Sequence, residues 1–152
     1  MKRGSSLRIV IDASVARSAG ETEHPVSSAC RKYLLAVLEK CHRAVVTDDI
    51  LEEWDRHQSK FTRKWRRSMA ARKKPLSTVE PTPVNLDLEA FSEVHRAAVE
   101  KDLRLLEAAI ATDRVIATRD DAFRVALGTT RRGRSVRDRL TWHNPVTDDT
   151  AP

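Results

Sequence analysis

The chain has 152 residues, 40% of them hydrophobic and 33% charged, with a net charge of +6. That length supports one domain with a full core and excludes two, and no apolar run approaches the length of a membrane span. The basic N-terminus meets Asp12 after an apolar stretch too short for a secretory signal, so a cytoplasmic protein with no membrane association is expected.

Leu7 to Ile11 is a short β-branched run ending at Asp12 and reads as a buried strand. A turn or short helix over Ser14 to Ala19 follows. His24-Pro25 then opens a helix from Ser27 to about His42, with Ala29, Tyr33, Leu34, Val37 and Leu38 as its apolar stripe. If Cys30 and Cys41 both lie on that helix, they stand about 16 Å apart at 1.5 Å rise per residue. That is too far for a disulfide, and two free thiols fit a reducing cytosol better than a zinc site. Ala44 to Val46 reads as a second strand, and Thr47 or Asp48 caps a third helix through Glu53 and past Ser59.

From Arg56 to Lys74 the chain holds nine Lys or Arg and no acid, which leaves −3 for the remainder. A run of charge is most often a solvated face. This one has no acidic partner within it and continues directly from the third helix, which favours a polyanion-binding strip centred on Lys60, Arg63, Lys64, Arg66 and Arg67. Pro75, Pro81 and Pro83 make a non-helical connection. Leu88 to Val99 and Asp102 to Ala111 read as two nearly continuous helices, with Asp102 in the first turn of the second. Val115 to Ala117 is a strand, Asp121 to Leu127 a short helix and Leu140 to Trp142 a last strand. A second cluster, Arg131, Arg132, Arg134, Arg137 and Arg139, lies in a loop or lines the same groove. The expected organisation is one domain over 1–145, with the basic helical segment at 56–74 and a flexible polar tail at 146–152.

Strands alternating with helices point to an α/β fold with a parallel sheet covered on both faces. Ligands in such sheets gather outside the carboxyl ends of the strands, where Asp12 and Asp120 both fall. Helical spacing brings Glu53 and Asp102 toward the same edge. Each acid alone has an ordinary reading: a turn for Asp12, a surface position for Glu53, helix caps for Asp102 and Asp120. Converging, the four repel one another unless protons or a cation neutralise them, and oxygen ligands suit Mg²⁺ or Mn²⁺.

In four ordered pieces the chain resembles the PIN-domain family, which includes the VapC-type toxins of toxin–antitoxin pairs. They are IVIDAS at 9–14, ILEEW at 50–54, KDLRLLEAA at 101–109 and VIATRDDAF at 115–123. The last carries Thr118, Asp120 and Phe123 in a T-x-D-x-x-F pattern. The resemblance implies a PIN-like three-layer α/β/α sandwich with a short central parallel sheet. It also implies that Asp12, Glu53, Asp102 and Asp120 are the catalytic, metal-binding acids, supported by the hydroxyls of Ser14 and Thr118. Glu52 competes with Glu53, which is preferred because Trp54 follows it, and Asp121 is either a further acid or a helix cap.

The resemblance implies Mg²⁺- or Mn²⁺-dependent endoribonuclease chemistry, leaving a 5′-phosphate and a 3′-hydroxyl. RNA is the expected partner, with an antitoxin protein and a second copy of the chain as candidates. Trp54 and Trp65 are expected in the core, and His57 as a packed histidine outside the site. The alternative is a non-catalytic RNA-binding module of the same fold. A receiver domain built on Asp48 and Asp49 fits less well, because that pair follows the second strand and no phospho-acceptor pattern accompanies it. A haloacid-dehalogenase-type phosphatase would need an aspartate where Ser14 stands.

Overall fold

Three apolar runs form the buried centre of a parallel sheet in the computed structural model, which describes residues 6–148 and 152. They are β1 (Arg8–Ile11), β2 (Arg43–Val46) and β4 (Val115–Ala117), and Ile9 to Ile11, Ala44 to Val46, Ile116 and Ala117 are fully buried. Such unbroken burial is what strands covered on both faces require. Two short strands complete the sheet, β3 (Ser77–Thr78) and β5 (Thr141–His143), in the order β3-β2-β1-β4-β5, and every pairing is parallel.

The helices are α1 (Ala13–Ser18), α2 (Pro25–Glu39), α3 (Asp48–His57), α4 (Lys60–Ala71), α5 (Glu93–Ile110), α6 (Asp121–Leu127) and α7 (Arg131–Asp138). Starting at β1, the chain adds β2 and β3 on one side, then crosses back to add β4 and β5 on the other. Right-handed crossovers then send the two sets of helices to opposite faces. In agreement, α2 packs on β2 and α4, whereas α5 packs on β1, β4 and α6. The fold is α/β, and helices on both faces of one sheet are compatible with a three-layer α/β/α sandwich. The strand order reverses between β1 and β4, the position at which open parallel sheets form a crevice at their carboxyl edge. No helix among the described residues is long and apolar enough to cross a membrane.

Several local expectations are corrected. The third helix does not run past Ser59: α3 stops at His57, and Ser59 caps a separate α4 by accepting from Thr62 N. The basic segment 56–74 is therefore a helix end, a break and a second helix. One helix, α5, replaces the two expected over 88–111; Ser92 caps it, and no Gly or Pro interrupts it. The arginine cluster at 131–139 is mostly helical, as α7, and not a loop. Cys41 lies beyond the end of α2 at φ 60, exposed, while Cys30 is buried within it. The expected tail starts within a turn at residues 145–147, where Asn144 N donates to Asp148 Oδ2 at 2.7 Å. Residues 149–151 of that tail lie outside the described residues.

Candidate active site

β1 delivers Asp12 to the carboxyl edge of the sheet. Asp12 occupies the N-cap position of α1, but its side chain makes no capping bond. Its Oδ2 instead accepts from Ser14 Oγ at 2.7 Å and from Thr118 Oγ1 at 2.9 Å. The backbone holds the same place, since Asp12 N donates to Ala117 O on β4 at 2.8 Å. A buried carboxylate gathered by two hydroxyls, with Oδ1 left without a protein donor among the described residues, is not explained as a turn residue.

Asp120 follows β4 and does serve as a cap, with Oδ1 accepting from Ala122 N at 2.9 Å. Its Oδ2 remains for the cleft and lies 3.8 Å from Lys101 Nζ. Asp102 is not in a first turn, because α5 begins at Glu93; it sits mid-helix, only 8% exposed, on the face carrying Leu105, Leu106 and Ala109. Burial first, and then the charges of Asp12 and Asp120, push its carboxyl up to about 7, with Lys101 opposing. A carboxyl so reluctant to ionise beside two others marks a place that favours a proton or a cation.

Glu53 reaches this edge because Trp54, its neighbour, is pinned to β1: the buried indole Nε1 donates to Ile11 O at 2.8 Å. Asp12, Ser14, Glu53, Asp102 and Asp120 all line one open cleft of about 460 Å³. Glu52 does not line it; it is exposed and pairs with Arg56 at 2.9 Å. Asp121 faces a second cavity and accepts from Asn144 Nδ2 at 3.3 Å.

Sharing a cleft is not the same as touching. The charges acting on Asp102 come from Asp12, Asp120 and Lys101, and Glu53 is not among them. Its carboxylate is drawn aside by Arg104, whose Nη2 lies 3.4 Å from Oε1. No three His, Cys, Asp or Glu side chains among the described residues are grouped tightly enough to enclose an ion as they stand. The donor set nevertheless fits a hard divalent cation in kind, being all carboxylate oxygen with room for water.

Besides Ala13, four lining residues were not among the expected site residues: Arg17, His57, Lys101 and Arg119. His57, expected to pack inside, is exposed on the cleft because α3 ends there and no further turn covers it. Arg119 lies between Thr118 and Asp120. Its backbone N donates to Ser14 Oγ at 3.2 Å and its Nη1 to Ser18 Oγ at 2.6 Å, which holds the guanidinium beside α1. The strand-end position of Arg119 is a signal available from sequence; the inward reach of Arg17 is not, since it depends on how α1 docks.

The basic strip begins near this cleft. Ser59 N and Thr62 Oγ1 both donate to Ala16 O, at 3.1 and 2.6 Å, tying the first turn of α4 to the residue before Arg17. Lys60, Arg63, Lys64 and Arg67 are exposed. The expectation that the strip lacks acidic partners is corrected. Lys64 meets Glu21 at 3.3 Å and Arg66 meets Asp55 at 2.7 Å, both acids lying outside the 56–74 window. Trp54 and Trp65 are buried, as expected, with Trp65 Nε1 donating to Leu34 O at 2.6 Å.

No model of a known protein family, no curated protein and no solved structure matches the chain.

Proposed function

We propose that the chain is a PIN-like, Mg²⁺- or Mn²⁺-dependent endoribonuclease acting in the cytoplasm. The observation that carries this reading is that Asp12, Glu53, Asp102 and Asp120, spread over most of the sequence, line a single cleft together with Arg17, Lys101 and Arg119. Acids alone would suit a cation, and basic groups alone a phosphate. Their mixture suits a phosphodiester brought to a cation.

In this reading Asp12, Asp102 and Asp120, joined by Glu53, hold the metal. A divalent cation bound there would polarise the phosphate and lower the pKa of its water toward neutrality. Ser14 and Thr118 fix the Asp12 carboxylate so that its free oxygen is presented without a search over rotamers. One of these carboxylates would accept the proton of that water. Arg17, Arg119 and Lys101 flank the acids and orient the negatively charged backbone, while Lys60, Arg63 and Arg67 on α4 extend the phosphate track. An antitoxin partner and a homodimer belong to the same reading, as extensions of the toxin resemblance.

The test uses the purified chain, Asp12→Asn and Asp120→Asn with an RNA substrate in Mn²⁺, Mg²⁺ or a chelator. The expected result is metal-dependent cleavage with 5′-phosphate products by the parent chain and none by either variant, with all three proteins folded. RNA binding without cleavage in any metal would favour the non-catalytic module. Full activity in a variant would remove its aspartate from the site.

A further inference from the structure

We infer that Arg104 is a positioning residue that competes with the divalent cation for Glu53, so that the cleft's fourth carboxylate turns to the aspartates only when a cation draws it there. The inference rests on the metal-dependent reading above and adds a control on it.

Glu53 lines the cleft, yet its Oε1 lies 3.4 Å from Arg104 Nη2. Arg104 comes from α5, the helix that carries Asp102. Two residues apart on a helix means about 200° of rotation, so Asp102 and Arg104 leave α5 on opposite sides. One faces the other aspartates; the other reaches across to α3. Asp49, one turn before Glu53 on α3, lies 4.0 Å from Arg104 Nη1. A single guanidinium therefore spans two acids of α3, one lining the cleft and one outside it.

This geometry lets Glu53 leave without stranding a charge. When Glu53 rotates away, Asp49 is already beside Arg104 and accepts the guanidinium's second edge. The side chains of Arg104, Glu53 and Asp49 are 42%, 44% and 62% exposed, so water screens the pair. An exposed pair of this kind is weak enough for a divalent cation to displace and strong enough to shift an apparent affinity several-fold. Lys101 beside Asp120 is a different case: its ammonium is 73% exposed and has no acid outside the cleft within ion-pair distance among the described residues.

The discriminating experiment is a double-mutant cycle read by calorimetric titration of Mn²⁺ into the purified 152-residue chain, without RNA. Arg104→Gln is expected to tighten Mn²⁺ binding by about 3- to 5-fold. In a Glu53→Gln background the same change should move the affinity by less than about twofold, since there is no carboxylate left to compete for. Arg104→Lys, which keeps the charge, should bind close to the parent. Thermal melts check folding, and Arg104→Met, which keeps the apolar stem, replaces Arg104→Gln if that variant fails to fold. Equal tightening in both backgrounds would make Arg104 a remote charge and overturn the inference, as would no change in either. Absence of Mn²⁺ binding by the folded parent chain is a separate outcome, which sinks the metal-dependent reading itself and this inference with it.

Discussion

Thr118 donates its hydroxyl to Asp12 across the junction of β1 and β4, at 2.9 Å and over a sequence separation of 106 residues. The acceptor is the same Oδ2 that takes the hydroxyl of Ser14 at 2.7 Å. Two neutral donors on one oxygen stabilise the charge of a carboxylate that is only 8% exposed. Thr118→Val keeps the shape and removes one donor, leaving the charge under-satisfied. The expected cost is about 1–3 kcal/mol by urea unfolding, with Mn²⁺ affinity lower by about tenfold. Unchanged affinity in the folded variant would make the hydroxyl a feature of the sheet and not of the site.

Asp102 gives the protein a pH dependence of definite sign. Its carboxyl titrates at about 7 when folded, against an ordinary value of 3.8. Folding therefore favours the protonated form. The stabilisation is complete below about pH 4 and is lost progressively as pH rises through 7. Asp102→Asn is always neutral and should not lose it. With chelator present, urea unfolding at pH 4 and pH 8 should show the variant gaining on the parent by about 1–3 kcal/mol over that interval. A constant difference between the two proteins at both pH values would contradict the burial of a strained charge at this position.

The strands are the most legible part of the sequence, because β1, β2 and β4 are covered on both faces and so read as uninterrupted apolar runs ending at Asp12, Thr47 and Thr118. β3 is not legible: Ser77 and Thr78 sit in a proline-flanked stretch and become a strand only by pairing with Val45 and Val46. The acids at strand ends follow from the parallel-sheet rule, so Asp12 and Asp120 can be placed without coordinates. Asp102 can be assigned to the right helix face but not to the right turn, since periodicity carries no marker of where α5 begins. Contacts that join separate elements, such as Arg104 with Glu53 or Lys64 with Glu21, depend on how helices dock and leave no local signal. The apparent freedom of the strip at 56–74 fails for that reason: its partners are near in space and outside the window.

That correction changes which cations of α4 should matter for RNA. Lys64 and Arg66 already neutralise Glu21 and Asp55, so each gains less from a phosphate than an unpaired group does. Lys60, Arg63 and Arg67 have no ion-pair partner among the described residues. Neutralising those three in an Asp120→Asn background should flatten the dependence of log affinity on log salt for single-stranded RNA by about 2. Neutralising Lys64 and Arg66 instead should flatten it less. Equal salt slopes for the parent and the triple variant, measured by filter binding, would remove α4 from the interface.

Trp54 links packing to chemistry through one bond. The indole is fully buried and its Nε1 donates to Ile11 O at 2.8 Å, while its ring lies 6.1 Å from that of Trp65. Ile11 immediately precedes Asp12, and Trp54 immediately follows Glu53, so this bond sets the spacing between two of the four acids. Trp54→Phe keeps an aromatic ring, removes the donor and reduces the volume, which should cost about 1–3 kcal/mol of stability. If the bond serves only the core, cleavage by the fully folded variant will match the parent at a temperature well below both melting transitions. If it also positions Glu53, Mn²⁺ binding will weaken and cleavage will fall at that same temperature, with folding intact by circular dichroism. The second outcome is expected, because among the described residues this is the one hydrogen bond that joins α3 to β1.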